Sequence, residues 1–238
     1  MISIATTVSP PETCGYLPDR TWQLQYEFIA EATQADYEDR LEIGWRRFGR
    51  AWFRPRCPSC AACQPLRIDV AEFQPDRSQR RNQKLHVGTT QLVIGTPTVT
   101  DDKLALYDRY HRFQTNNVGW PTKPPKDAEE YFNAFADNPF PTEEWCYYRE
   151  GKLAAIGFVD ALPKSLSAIY FFHEPWLRPI GMGTWNVLSC VAEAARRQLP
   201  FVYLGYYVEG CRSSEYKGKY RPAEAMDWTD NSWKPFTP

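Results

Sequence analysis

Hydrophobic and polar positions alternate in short runs through the first 90 residues, which predicts strands separated by loops and short helices. WQLQYEFI, for example, has the period of two that is typical of a half-buried strand. Strands are predicted at residues 22–29, 45–55 (a strand or hairpin) and 66–73. Thr33 is expected to cap a helix that extends to about Leu41, and a short basic helix is predicted over 77–85.

From residue 102 onward the pattern changes to longer helices between strands. The predicted elements are helices over 102–114 and 126–137, a hairpin over 145–162, a strand over 166–173, a helix over 182–198 and a strand over 201–208. The residues after 208 have the pattern of loops. This order predicts an α+β or α/β fold with two units: residues 1–90, with a cysteine-rich loop, and residues 91–238.

Composition narrows the class of protein. The 238 residues are 43% hydrophobic and 15% aromatic, which is enough for a folded core. No apolar run approaches the roughly 20 residues that span a bilayer, and the N-terminus lacks the pattern of a secretory signal. We therefore expect a soluble cytoplasmic protein without membrane contact, whose seven cysteines are thiols or metal ligands.

The net charge of −1 conceals a basic segment. Residues 40–90 carry eleven Arg and Lys but only four acidic residues. Such a surplus favours a polyanionic partner. A solvated surface with intramolecular salt bridges is the alternative.

Three cysteines in RPRCPSCAACQPLRIDV stand at two-residue intervals. Cys57, Cys60 and Cys63 offer three soft ligands, and Cys14 is the candidate for the fourth that zinc or an iron–sulfur cluster requires. Buried reduced thiols are the alternative interpretation. A redox pair is disfavoured because no thioredoxin-like pattern surrounds the segment.

RPIGMG joins a predicted strand to a predicted helix and has the composition of a phosphate-binding loop. Arg178, Gly181 and Gly183 would let backbone N–H groups at a helix N-terminus approach an anion. Acetyltransferases hold the pyrophosphate of coenzyme A on an element of this kind, so a small-molecule N-acetyltransferase is one candidate function. An ordinary turn is the alternative.

Several segments together resemble the aminoacyl-tRNA–protein transferases, which add leucine or arginine from a charged tRNA to a protein's N-terminus. The matching segments are CGYLPDR (14–20), RPRCPSCAACQPLRIDV (54–70), FQPDRSQRRNQKL (73–85), IGMGTW (180–185) and YLGYYVEGC…EYKGKYRPAE (203–224). The resemblance implies an acetyltransferase-like C-terminal unit, aminoacyl-tRNA and proteins with acidic N-termini as partners, and a role in marking proteins for degradation. The donor, Leu-tRNA or Arg-tRNA, stays open, and the bacterial branch favours leucine.

This sequence departs from the pattern of the family at three places. Leu17 stands where some members have a second N-terminal cysteine, residues 114–117 replace an Arg-His pair, and Ser213–Ser214 replaces a Lys-Met pair. The first departure removes a cysteine that would be a metal ligand in those members. The three departures together leave the amino-acid specificity open.

Candidate site residues follow from the chemistry of amide formation. Gly205, in a splayed strand, would let N–H donors approach the tetrahedral intermediate. Tyr206 or Tyr207 would donate a proton to the leaving ribose oxygen, and Glu209 would act as the base. Packing in a core or edge strand is the alternative for the tyrosines.

Basic residues near both ends of the family pattern could bind the acidic acceptor. The candidates are Arg77, Arg80, Arg81, Lys217, Lys219 and Arg221. We expect a monomer. Two other classes of function stay open: the acetyl-coenzyme-A-dependent enzyme, and a non-catalytic zinc module that binds nucleic acid.

Overall fold

The computed structural model describes residues 1–237. The strands are β1 Ile2–Val8, β2 Glu12–Thr13, β3 Thr21–Trp22, β4 Leu24–Glu31, β5 Arg46–Phe48, β6 Ala51–Pro55, β7 Gln64–Asp69, β8 Gln91–Gly95, β9 Glu143–Arg149, β10 Lys152–Ala161, β11 Ser165–His173, β12 Phe201–Tyr207, β13 Ala223–Met226 and β14 Trp233–Pro235. The α-helices are α1 Gln34–Glu42, α2 Arg77–His86, α3 Asp101–Val118, α4 Ala128–Tyr131, α5 Met182–Arg196 and α6 Arg212–Glu215.

A mixed sheet with the strand order β14-β13-β7-β12-β11-β10-β9-β8 forms the centre of the molecule. Neighbouring strands are antiparallel, except that β11 and β12 pair in parallel. β7 comes from the first 90 residues and lies between β12 and β13. The predicted boundary near residue 90 therefore separates two segments of sequence that contribute to one sheet.

Helices cover both faces of this sheet. On one face α5 packs Val187, Leu188 and Val191 against buried side chains of β9, β11 and β12. On the other face Leu106 of α3 joins Phe158 and Phe172. The alternation of side chains along each strand thus supplies two cores, as expected for a sheet buried on both sides.

A four-stranded antiparallel sheet, in the order β1-β4-β6-β5, lies beside the large one. Its inner face packs Ile29 and Trp52 against Tyr37 of α1. Arg47 of β5 fixes it to the large sheet through a buried ion pair with Asp160 of β10, because the Arg47 Nε–Asp160 Oδ2 distance is 3.0 Å. The small sheet is therefore held rigidly against the large one.

Most predicted elements are confirmed. Thr33 caps α1 in a capping box with Asp36, α2 covers the predicted basic helix, and the β9–β10 hairpin turns at Glu150–Gly151 as expected. The strand predicted over 66–73 begins two residues earlier and ends four residues earlier, at Asp69, where its pairing with β12 ends.

Two predictions were wrong in detail. The helix predicted over 126–137 consists of the short α4 followed by a π-helical turn over Phe132–Ala136. The C-terminal residues are not only loops, because β13 pairs with β7 and β14 pairs with β13. β1 and β8 were not predicted. Across residues 1–237, no helix combines the length and apolar character needed to cross a bilayer.

Candidate functional site

β11 and β12 separate after a short stretch of parallel pairing. The pairing covers only Ser165–Ser167 against Phe201–Tyr203, although β11 continues to His173 and β12 to Tyr207. We call the gap between the separating strands the wedge. Backbone groups that face the gap have no ladder partner there, so they are available to side chains and ligands.

Gly205 lies at the β12 side of the wedge. Its φ of +83° is in the region that favours glycine, and the pairing of β12 with β7 shifts register between Tyr203 and Gly205. A Cβ placed on Gly205 would be 3.6 Å from Arg46 Nε and 3.7 Å from Lys217 Nζ. Two cationic side chains therefore meet at this glycine.

Arg46 enters the wedge from β5 of the small sheet. It is buried, and its guanidinium donates hydrogen bonds to Ser167 Oγ, at 3.2 Å, and to the carbonyl of Ala168. Both acceptors belong to β11 where it leaves β12. Arg46 thus fills part of the space between the strands without meeting a carboxylate.

Lys217 reaches the wedge from the 3₁₀ turn over Tyr216–Lys219. Its ammonium donates to the carbonyl of Tyr206 at 2.7 Å. Burial, together with the charge of Arg46, lowers the pKa of Lys217 to about 8 from its ordinary 10.5. Within residues 1–237 neither cation forms an ion pair. Buried cations normally have a counter-charge within the protein, so this pair is a candidate site for an anion.

The predicted catalytic residues lie close to the wedge in sequence but point elsewhere. The Tyr206 hydroxyl is buried and donates to the carbonyl of Gly44 at 2.8 Å, so it is the Tyr206 carbonyl that faces Lys217. The ring of Tyr207 packs against Phe236, with 4.7 Å between centroids. Glu209 is exposed in the turn after β12. This arrangement does not bring the three side chains together, and their catalytic roles stay predictions.

The glycine loop precedes α5 as expected. A 3₁₀ turn over Pro175–Ile180 ends at Gly181, whose φ is +71°, and α5 begins at Met182 without a side-chain cap. A Cβ on Gly183 would meet no atom within 4 Å, so open space lies beside the helix N-terminus. Arg178 is exposed, with its guanidinium 5.5 Å from the ring centroid of Phe113.

α2 packs against this loop through its polar side. Asn82 Nδ2 donates to the carbonyls of Ile180, at 2.7 Å, and Gly181, at 3.1 Å. His86 Nε2 lies 3.0 Å from the same Ile180 oxygen. A carbonyl oxygen only accepts, so Nε2 is the donor in this contact, and burial lowers the pKa of His86. The contacts hold α2 beside the N-terminus of α5.

The basic side of α2 faces solvent. Its exposed cations are Arg77, Arg80, Arg81 and Lys84. Arg221 lies elsewhere: its Nε donates to the carbonyl of Gly218 at 2.9 Å, which stabilises the turn that carries Lys217. The predicted basic residues thus divide into a solvent-facing group on α2 and a group in the turn that carries Lys217.

The four predicted cysteine ligands line one cavity of about 40 Å³. Cys14 Sγ accepts hydrogen bonds from the backbone N–H groups of Tyr16 and Leu17, both at 3.4 Å. Burial and the neighbouring sulfurs raise the pKa of Cys63 to about 12, which favours a thiol. The cavity therefore collects soft donors from the N-terminal segment and from the cysteine loop.

The four cysteines share a cavity without forming a closed metal site. Among residues 1–237 no three His, Cys, Asp or Glu side chains are grouped closely enough to hold an ion. Four thiol sulfurs are suitable ligands for zinc or an iron–sulfur cluster, but the sulfur atoms would have to move closer to one another to coordinate it. The metal stays a prediction.

Sequence reasoning missed Arg46. It is one of two adjacent arginines in an aromatic-rich strand, and nothing in WRRFGRAWF distinguishes it from Arg47. Only the alternation of side chains across β5 and the pairing with β6 assign them to opposite faces.

Comparison with known proteins identifies relatives along most of the chain. Residues 12–81 match the family model "Arginine-tRNA-protein transferase, N terminus", and residues 102–227 match "Arginine-tRNA-protein transferase, C terminus". The aspartate/glutamate leucyltransferase of Campylobacter jejuni subsp. jejuni serotype O:23/36 (strain 81-176) is 32% identical over 92% of this chain and 91% of its own.

A second relative has similar sequence identity and coverage. The aspartate/glutamate leucyltransferase of Pseudomonas fluorescens (strain SBW25) is 36% identical, with 91% of each chain covered. Among solved structures, the crystal structure of FemX aligns with a TM-score of 0.48 and 8% identity, covering 84% of this chain and 80% of its own.

Proposed function

The chain belongs to the arginine-tRNA-protein transferase family and is an aminoacyltransferase, and we propose that it transfers leucine from Leu-tRNA to proteins that begin with Asp or Glu. The name shared by its relatives, aspartate/glutamate leucyltransferase, supports this donor and these acceptors. The product is a protein with a new N-terminal leucine, a mark for degradation.

The reaction forms one amide bond and breaks one ester bond. The acceptor's α-amino nitrogen attacks the carbonyl carbon of the aminoacyl ester, loses a proton, and the ribose oxygen of the tRNA leaves with a proton. An α-amino group has a pKa near 8, so about a tenth is neutral at pH 7. Because the ester is already activated, positioning the two substrates supplies much of the acceleration.

We place the acidic side chain of the acceptor between Arg46 and Lys217. One observation carries this assignment: two desolvated cations meet at Gly205 and have no carboxylate partner in the described chain. A substrate carboxylate would supply the missing charge, and the arginine offers it two donors. Neutral side chains would leave both cations desolvated, which accounts for selection against them.

The wedge also suits the reacting atoms. N–H groups on the separated edges of β11 and β12 are candidate donors to the oxyanion of the tetrahedral intermediate. Gly205 has no side chain to obstruct the approach of the ester. The acceptor's α-amino group and the ester carbon would then meet a few ångströms from the bound carboxylate.

The tRNA side of the site is proposed to be α2 and the N-terminus of α5. Arg77, Arg80 and Arg81 are exposed on α2, and Asn82 holds that helix beside the glycine loop. Phosphates near the 3′ end of the tRNA would contact these cations and the uncapped N–H groups of α5. We propose an acetyltransferase-like arrangement on this basis, working as a monomer in the cytoplasm, where charged tRNA is available.

We propose that the cysteine cavity has a structural role. A metal held by Cys14, Cys57, Cys60 and Cys63 would supply a cross-link between the N-terminal segment and the cysteine loop. The chemistry proposed for the wedge does not depend on that group.

The proposal is tested by offering labelled Leu-tRNA and Arg-tRNA with peptides that begin with Asp, Glu or Ala. We expect leucine on the Asp and Glu peptides and none on the Ala peptide. Transfer of arginine alone would reassign the donor. Absence of all transfer, with saturable binding of acetyl-coenzyme A or of nucleic acid, would instead support one of the two other classes of function.

A further inference from the structure

One face of the small sheet carries a cluster of aromatic rings, of which Phe28 and Phe48 are exposed and Tyr26 and Phe53 are half-buried. Tyr26 and Phe28 of β4, Phe53 of β6 and Phe48 of β5 share this face, which we call the aromatic face. Centroid distances are 6.2 Å for Tyr26–Phe28, 6.0 Å for Tyr26–Phe53 and 5.9 Å for Phe48–Phe53. Exposed rings beside half-buried ones form an apolar patch of the kind that marks interaction sites on protein surfaces.

Small neighbours leave Phe28 and one side of Tyr26 uncovered, whereas Phe53 also lines the cysteine cavity. Phe28 is flanked across the strands by Ala5 and Ala51, and Tyr26 is flanked by Thr7. Phe28 is 40% exposed and Phe48 37% exposed. Phe28 and Phe48 therefore present open ring surface against which side chains of a ligand can pack.

The aromatic face is continuous with the wedge. Arg46 pairs across β5–β6 with Phe53 and shares its face. Phe48 contacts Tyr170 of β11, beyond the point where β11 leaves β12, with 5.8 Å between the ring centroids. A chain anchored at Arg46 can thus extend directly onto the rings.

Charge identifies the kind of ligand. Of the residues that pairing assigns to this face on the fully described strands β4, β5 and β6, Arg46 is the only charged one, and it is buried in the wedge. Glu12 lies close enough to Tyr26 to add to the effect of burial in raising the pKa of that tyrosine. Aromatic surfaces that bind single-stranded nucleic acid combine stacking with a cationic groove. An uncharged face with an acid at its rim suits a polypeptide.

We propose that the aromatic face binds the acceptor polypeptide just downstream of its N-terminal residue. The inference rests on the proposed function, because it takes the acceptor's first residue to be held in the wedge. Alternate side chains of an extended chain lie roughly 6–7 Å apart on one side. The ring spacing of about 6 Å matches that repeat, so apolar side chains over about the second to fifth acceptor residues pack between the rings.

The test compares a minimal acceptor, the dipeptide Asp-Ala, with a hexapeptide that begins with Asp and carries apolar residues at positions 2–5. For the unaltered enzyme we expect kcat/KM to be about tenfold higher with the hexapeptide. In Phe28→Ser and Phe48→Ser this gain falls to near unity, while kcat/KM for Asp-Ala and the KM for Leu-tRNA stay unchanged.

A matched control is Phe132→Ser, which removes a ring that is 48% exposed from the π-helical turn. It is expected to keep the full gain, and Phe28→Leu should keep most of it. Turnover of Asp-Ala by each variant verifies that the variant has folded.

Three results would overturn the inference: no gain with length in the unaltered enzyme, an equal loss for both acceptors in the variants, or a raised KM for Leu-tRNA. The last would assign the face to the tRNA. Because the proposed function is judged by turnover of Asp-Ala in the unaltered enzyme, its failure is distinguishable from failure of the docking surface.

Discussion

Arg46 and Arg47 are adjacent on β5, and their side chains have different roles. Both side chains are buried, but they lie on opposite faces of β5. Arg47 is neutralised by Asp160, and its guanidinium also donates to Thr142. Arg46 meets no carboxylate in residues 1–237. The first arrangement stabilises the fold, and the second leaves a charge for a substrate to complete.

Lys217 is expected to reduce stability at neutral pH. Its pKa of about 8 lies below the ordinary 10.5, so the folded protein pays a desolvation penalty that is complete below pH 8. Between pH 8 and 10.5 the unfolded chain holds a proton that the folded chain has released. The penalty therefore shrinks as the pH rises through this range.

Lys217→Met should accordingly raise the free energy of unfolding by roughly 1–3 kcal/mol at pH 7 and by little above pH 10.5. Ser214 Oγ still donates to the Tyr206 carbonyl in this variant. Denaturant unfolding at several pH values measures the effect. Lys219→Met, at an exposed position in the same turn, serves as the control and should show no such change. A loss of stability in Lys217→Met at pH 7 would count against the desolvated cation.

Gly205 is predicted to be required for backbone conformation rather than for space. An added Cβ would lie at ordinary contact distances from Arg46 and Lys217, but the φ of +83° disfavours any side chain. Gly205→Ala should lower the free energy of unfolding by roughly 1–2 kcal/mol. We also expect a lower kcat, because the strand edge shifts. Urea unfolding with parallel kinetics measures both, and unchanged values would refute the requirement.

At the scale of elements, α2 is predicted to act by holding the glycine loop. Asn82→Ala removes the hydrogen bonds to the carbonyls of Ile180 and Gly181 without altering a cation. The KM for Leu-tRNA should rise several-fold while the KM for the acceptor peptide stays unchanged. Steady-state kinetics with each substrate varied in turn measures this. A change confined to the acceptor would contradict the assignment of α2 to the tRNA.

The cysteine cavity is lined by Cys14 from an N-terminal turn and by three cysteines from a separate loop. A four-ligand metal site there would need ligands from both segments. We expect protein purified without oxygen to carry zinc or iron, and Cys14→Ser to lose it. Elemental analysis of both proteins measures the content. Equal metal in the two would remove Cys14 from the site, and none in either would leave the four residues as packed thiols.

For the whole molecule, sequence patterns predicted the elements better than their arrangement. Periodicity and capping located α1, α2, α5 and the β9–β10 hairpin, because these depend on nearby residues. The positions of β7, between β12 and β13, and of β13, one strand from the edge, depend on pairing across more than 130 residues. No local pattern carries that information.

The candidate site shows the same division between residues that the sequence indicated and residues that depend on tertiary packing. The glycine loop, Gly205, Lys217 and the grouping of the cysteines followed from the sequence and the resemblance. Arg46 did not, because its role arises from the docking of one sheet on another. The packing of Tyr207 against Phe236 and the buried hydroxyl of Tyr206 likewise depend on tertiary contacts.

The molecule is expected to receive its two substrates from different sides. A basic helix lies beside the glycine loop, and an uncharged aromatic face leads away from Arg46. The wedge lies where a charged tRNA end and an acidic N-terminus would meet. This separation accounts for a chain whose net charge is only −1 but which carries a local surplus of cations.

Selection of the acceptor by charge is the central claim, and one ratio tests it. The measurement is kcat/KM for an Asp-initiated peptide divided by kcat/KM for the same peptide with Asn, which has nearly the same shape without the charge. We expect the ratio to fall by about tenfold or more in Lys217→Met and in Arg46→Met, and to stay unchanged in Lys219→Met. An unchanged ratio in the first two variants would contradict the account.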